Sequence, residues 1–299
     1  MSDLGVTSAR FGVSPQVLQA REQAYRQAVA TRRRHLAVLL AVLVVLTLVS
    51  AWVGEVDLGN LARNAWRLPD FVGRTMPALS WAQLGADLAE WFWGLDRWLL
   101  LLGETLLVAY LGTVVGTACA FLLCFLGSAN LIATRGVVFG ARRVMEICRT
   151  VPDVVFALVF VIAFGLGPLP GVLALAIHTA GALGKLFAEV VENIDMRPVE
   201  GLGACGGTLP EVIRHAVLPQ VLPNFASYAL LRFEVNVRGA AVMGFVGAGG
   251  IGQELLEAVR KFYYPDISAI LVLIMLTVVV IDLLTERLRH RLHEVEAIR

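Results

Sequence analysis

Arg232, Glu234, Asn236 and Arg238 crowd one otherwise apolar stretch of this 299-residue chain. An ionised group inside a membrane-spanning segment costs about 2.5–3.5 kcal/mol on insertion scales, so each needs a reason to be there. Glu234 and Arg238 stand four positions apart with the acid first, the favourable order for an ion pair on one helix face. Arg232 cannot share that face with Glu234, two positions away, and is left without a local partner. Two roles are open to it. It can supply a positive field along a path for an anion, or it can sit near the cytoplasmic end of its helix and snorkel to headgroups. Asn236 can touch a solute or bridge two helices, the commoner use of a membrane amide. His178 reads as a hydrogen-bonded core ring, Lys185 with Glu189 as the end of a span, and Asp153 after Pro152 as a helix cap.

Covalent chemistry finds no residues. Cys119, Cys124, Cys148 and Cys205 form no CxxC pair, and no histidine lies at metal-ligand spacing from them, so they read as small apolar residues and no metal site is expected. Gly247, Gly249 and Gly252 spell GxGxxG, but they follow an apolar run rather than a strand, and no βαβ unit supplies the acid a dinucleotide needs. The glycines read instead as tight turns and close helix approach on the outer side. There is no GxxxxGK[ST], GxSxG or HExxH. The expectation is a chain with no catalytic residues and no cofactor, whose energy for any active process comes from a partner.

The elements that carry these residues are apolar. Hydrophobic residues make up 58% of the chain and charged residues only 16%, below the ~25–35% of a soluble surface. The net charge of +1 lacks the basic excess of a nucleic-acid binder. A crossing needs about 20 apolar residues. Leu36 to Gly54, Trp98 to Leu126, Val151 to Gly167, Gly171 to about Val190, Phe225 to about Val246 and Ile267 to Leu284 predict six. The fifth is the weakest because of its charges. Basic residues mark the cytoplasmic side. They gather before the first span (Arg10, Arg32, Arg33, Arg34), between the second and third (Arg135, Arg142, Arg143, Arg149), and after the sixth (Arg287, Arg289, Arg291, Arg299), which places both termini in the cytoplasm. Residues 1–35 form a polar cytoplasmic head and read as no cleavable leader. Residues 36–54 are the first span. Residues 55–97, with Trp66, Trp81, Trp91, Trp93 and Trp98, favour a membrane–water boundary, with an interfacial helix over Leu84 to Trp93. Residues 98–292 form the main membrane domain.

Between the fourth and fifth spans, residues 192–224 are too apolar for a solvated connector. Pro198 suits a first helical turn, Glu200 complements the dipole there, and Gly206 with Gly207 stop that helix. Thr208 with Glu211 has capping-box spacing for a second, which Pro219 and Pro223 end. Val212, Ile213, Ala216, Val217 and Leu218 then need a partner surface. The spacing resembles the EAA loop of ABC importer permeases: Glu200, Gly201 and Leu202 stand for Glu-Ala-Ala, Gly206 follows after three residues, and Ala216, Leu218 and Pro219 complete the pattern after nine more. Gly201, Leu202 and Ala216 depart from the family's residue types while the spacing is kept. Residues 104–113, 149–153 and 232–252 are also similar to such permeases, the last to the phosphonate branch, although methionine permeases share its glycine cluster.

The resemblance implies an all-α type I ABC importer permease fold in the bacterial inner membrane. It implies that Glu200, Gly201, Leu202, Gly206, Ala216, Leu218 and Pro219 couple to a pair of ABC ATPase subunits. It further implies a periplasmic solute-binding protein, a second permease copy or paralogue, and a phosphonate-like anion as substrate, with lipid around the whole. The alternatives are a permease for phosphite, methionine or another small solute, and an ion-coupled secondary transporter, for which the inverted repeats and paired broken helices are missing.

Overall fold

The computed structural model describes residues 15–77 and 82–297 and, among them, is helical without a strand. Arg10, Trp81 and Arg299 lie outside the described residues. The chain divides into two compact units, one ending at Asp70 and one beginning at Phe71. In the first, α1 (Pro15–Val53) joins the polar residues from Pro15 onward to the apolar run from Leu36 in one helix of 39 residues. It is followed by α2 (Leu58–Asn64), whose N-cap Asp57 accepts the Asn60 N–H at 2.8 Å, and by the start of α3 (Arg67–Thr75).

The second unit is a helical bundle. Its helices are α4 (Leu84–Trp91), α5 (Leu95–Gly127), α6 (Arg135–Thr150), α7 (Asp153–Phe164), α8 (Pro168–Glu192), α9 (Arg197–Ala204), α10 (Leu209–Val212), α11 (Leu218–Met243), α12 (Ile251–Arg260) and α13 (Tyr264–Ala297). Among the described residues four helices, α1, α5, α8 and α13, are long and apolar enough to cross a membrane by themselves, and a fifth crossing is available if α6 and α7 count together. The predicted third span is thus only half of its element. α7 has 12 residues, about 18 Å of helix, too short for a ~30 Å hydrocarbon core. It is joined to α6 through an 85° bend at Val151 and Pro152. Proline has no N–H for the helical ladder and disfavours helical geometry in the residue before it, so the bend falls there.

α5 and α8 form the spine. They run side by side in the same direction, Gly112 against Leu175 and Gly116 against Thr179. α6 closes on α8 at Gly181, where an added Cβ would stand 2.6 Å from the Met145 carbonyl oxygen. Small residues let helix backbones approach closely where lipid supplies no hydrophobic drive for helices to associate.

The glycine cluster makes a break rather than a nucleotide loop. After α11 the chain turns through Gly247, Gly249 and Gly250, with φ of +87°, +80° and +76°, values glycine alone adopts freely. It then continues as α12, fixed to α5 where Thr105 Oγ1 accepts the Ile251 N–H at 2.9 Å and where Arg97 meets Glu254 at 2.7 Å. Helix α4 covers most of the predicted interfacial segment. Tryptophans at its end and just beyond it anchor the start of α13: Trp91 Nε1 donates to Ser268 Oγ at 2.9 Å and Trp93 Nε1 to Asp266 Oδ1 at 3.1 Å, while Trp98 is buried.

Candidate functional site

Residues 193–217 fold as the predicted helix–turn–helix. The Arg197 N–H donates to Asp195 Oδ1 at 3.0 Å, and α9 begins with Pro198 and Glu200 in its first turn. Gly206 takes φ +83° and its successor's N–H returns to the Leu202 carbonyl at 3.1 Å, which closes the helix end. Thr208 then donates both its N–H and its hydroxyl to Glu211 Oε2 at 2.7 Å, in the capping box that opens α10.

The prolines do not end this second helix. α10 passes through a π turn, Ile213–Val217, directly into α11, with Pro219 in the first turn of α11 and Pro223 inside it. The wide turn shifts the hydrogen-bond register just where Pro219 lacks an N–H, so the proline is accommodated. Nor does the apolar face wait for another protein. Val212, Ala216, Val217 and Val221 pack with Leu183, Phe187 and Val191 of α8 in one buried cluster, in which Phe187 and Phe225 stack at 3.9 Å. Of the residues expected to couple, Ala216 is buried and Leu202 and Leu218 are half-buried against that cluster. Glu200, Gly201, Gly206 and Pro219 are exposed, and so are Gly203, Ala204 and Cys205, which the motif did not single out. Their signal was available as an unbroken run of small residues on the exposed side of a short helix.

At the base of this unit, Arg142 Nε donates to the Gly127 carbonyl at 2.9 Å, its guanidinium pairs with Glu192, and Glu192 Oε1 accepts the Ala129 N–H at 2.7 Å. That joins the ends of α5 and α8 to the middle of α6.

Thr208 holds the Glu211 carboxyl below its ordinary range, first through its backbone N–H and then through its hydroxyl. A depressed acid adds stability above its unfolded pKa and loses it as pH falls through the folded one. As pH falls through that depressed value the α10 cap therefore loosens. Protection from hydrogen exchange at the Leu209, Glu211 and Val212 amides, taken relative to the intrinsic rate at each pH, is expected to fall in acid, and Glu211→Ala should lower it about fivefold at neutral pH and remove that acid dependence.

The charged residues of α11 separate into two groups. Arg238 meets Glu234 at 2.6 Å and Asp282 of α13 at 2.8 Å, and Arg289 lies 3.9 Å from Glu234. The predicted local pair is thus part of a wider network between α11 and α13. Arg232 stands apart. It is at the middle of α11, not near an end, and reaches α8: its Nε donates to Thr179 Oγ1 at 3.4 Å and its guanidinium contacts His178 Nδ1. Asn236, 1% exposed, donates to Thr113 Oγ1 at 2.8 Å and Thr179 Oγ1 at 2.9 Å, linking α5, α8 and α11, while its Oδ1 has no partner. Asp153, at the α6–α7 bend, faces the same cluster and acts electrostatically on His178 and Arg232.

Comparison with known proteins gives this arrangement its context. The family of binding-protein-dependent transport system inner membrane components matches residues 137–294. The phosphite transport system permease protein PtxC of Stutzerimonas stutzeri is 38% identical over 252 residues, 84% of this chain and 87% of that protein. The phosphate-import permease protein PhnE of Mycolicibacterium smegmatis is 41% identical over 186 residues, 62% of this chain and 35% of that one. In fold the chain is similar to the inward-facing MetNI methionine ABC transporter, with a TM-score of 0.56 at 23% identity over 67% of this chain and 97% of that one. The chain belongs to the binding-protein-dependent transport system inner membrane component family, the membrane-spanning permeases of ABC importers.

Proposed function

We propose that this chain lines the translocation path of an ATP-driven importer for phosphonate-like oxyanions, phosphite among them, and passes the motion of an ATPase pair into that path. The observation that carries the reading is mechanical. The exposed turn around Gly206 runs through α10 and a π turn into α11 without leaving helical structure. Displacement of the turn therefore moves α11, which holds Arg232. The names of the relatives supply the substrate class, and the fold neighbours supply the type of machine.

On this reading α9 and the Gly206 turn seat in a cleft of the ATPase through Glu200, Gly201, Gly206 and Pro219. Leu202, Ala216 and Leu218 support them from beneath. Residues 192–224 are the coupling loop of a permease domain spanning 98–292. Six crossings are counted, by α1, α5, the α6–α7 pair, α8, α11 and α13, with both termini in the cytoplasm. The parallel run of α5 and α8 supports one crossing for the bent pair, since only an odd number can separate two parallel spans. A second copy or paralogue completes the path, and a periplasmic solute-binding protein delivers the anion in the inner membrane.

The test is reconstitution with the cognate ATPase and binding protein in vesicles. Labelled phosphite or methylphosphonate is expected to enter only with ATP and loaded binding protein. Uptake driven by a proton gradient without the ATPase would reject the proposal.

A further inference from the structure

We propose that Arg232 is a transit station for the oxyanion inside the membrane, with His178 setting the direction of its guanidinium and Asp153 limiting how tightly the anion is held. This deepens the importer reading and rests on it.

The two arginines of α11 meet opposite surroundings. The Arg238 guanidinium is bracketed by the carboxylates of Glu234 and Asp282 at 2.6 and 2.8 Å. Its charge is neutralised, and it joins α11 to α13. The hydrogen-bond partners of Arg232 are a hydroxyl and an imidazole, both uncharged in the roles they play here. A guanidinium only donates, so His178 Nδ1 must accept and carries no proton there. The same ring lies within reach of the Arg149 backbone at the α6–α7 bend, so it stands between bend and arginine. Asp153 is the nearby acid, yet it is held elsewhere: its Oδ1 accepts the Val154 N–H at 2.9 Å, and its Oδ2 faces Gly239, 3.3 Å from where a Cβ would stand.

A half-buried arginine midway along a membrane helix, with no carboxylate paired to it among the described residues, is costly unless something offsets its charge. A tetrahedral oxyanion with two or more terminal oxygens fits a guanidinium fork in a bidentate manner. Next to it, Asn236 places a buried, unpartnered amide oxygen, an acceptor for the P–OH of a monoprotonated phosphite or phosphonate. Asp153 repels the same anion, which keeps the hold weak. A site for conduction must be favourable enough to enter and weak enough to leave. The station also lies where motion arrives. Arg232 is on α11, fourteen residues and about 21 Å of helix above the π turn, while His178 and Asp153 are on other helices.

The experiment uses the full transporter in vesicles with labelled methylphosphonate and a titration of loaded binding protein. Arg232→Gln is expected to lower the maximal uptake rate ~10-fold or more, the value of a charged hydrogen-bond pair, without shifting the half-saturating concentration of binding protein by more than twofold. His178→Leu should lower the rate in the same way, and His178→Asn, which returns an acceptor near Nδ1, should recover most of it. If Arg232→Gln does not assemble with the ATPase, Arg232→Lys decides: the rate falls ~3–10-fold because a point charge lacks the fork, and an unchanged rate overturns the station. An Arg232→Gln transporter that imports at the wild-type rate, beside an active wild type, overturns the station and leaves the importer reading intact. A wild type that shows no ATP-driven uptake refutes the importer reading itself.

Discussion

Gly116→Leu should abolish accumulation of folded permease, with no monodisperse protein extracted from membranes. A Cβ added at Gly116 would lie 2.6 Å from Thr179 Cβ and 2.8 Å from the Ala176 carbonyl oxygen. The second neighbour is backbone and cannot rotate away, so α5 and α8 must separate. Overpacking a core ordinarily costs ~1–3 kcal/mol, and a leucine at this contact exceeds that range because it displaces a whole helix. The damage reaches the polar cluster as well, since the Thr179 hydroxyl accepts from both Arg232 and Asn236. Gly103→Leu is the control on the same helix: nothing lies within 4 Å of its Cβ position. Size-exclusion profiles and thermal midpoints of the two variants should differ sharply. Equal stability would show that the close approach of α5 and α8 is not what holds the bundle together.

The long helices were legible because their signal is local. Trp98 to Leu126 and Gly171 to about Val190 became helices Leu95–Gly127 and Pro168–Glu192, lengthened by a few residues because nothing nearby stops them. The capping box at Thr208 was legible for the same reason. Features set by contact between elements were not. Arg135–Thr150 lies between two predicted spans and carries charges on one face, yet its other face packs on α8 through Gly181. Pro219 and Pro223 read as terminators because a π turn, which removes the conflict, leaves no mark in the sequence. The pairing of Arg232 with His178 joins residues 54 apart. Helical periodicity says which face a residue occupies, not which neighbour that face meets. Likewise, the spacing of the proposed coupling loop could not tell exposed Glu200 from buried Ala216.

Gly206→Val should uncouple the transporter, leaving uptake at background although the membrane bundle stays folded. Gly206 holds φ +83° and nothing lies within 4 Å of its Cβ position, so the demand at this position is conformational and not steric. A residue with a Cβ forced into left-handed geometry loses about 1–2 kcal/mol, and β-branching adds to it. The strain is relieved by refolding the turn, which takes Gly201 and Gly206 off the surface they share and detaches the lever that α10 and α11 form. Gly206→Asn discriminates between explanations, because asparagine enters this region readily while being about as large as valine. Uptake should largely survive in the asparagine variant and vanish in the valine variant, with both extracted in equal yield and equal thermal stability of the bundle. If both variants fail, contact with bulk decides the position, and the left-handed backbone is incidental. If both transport normally, the turn at Gly206 carries no motion, and force must enter α11 by another route.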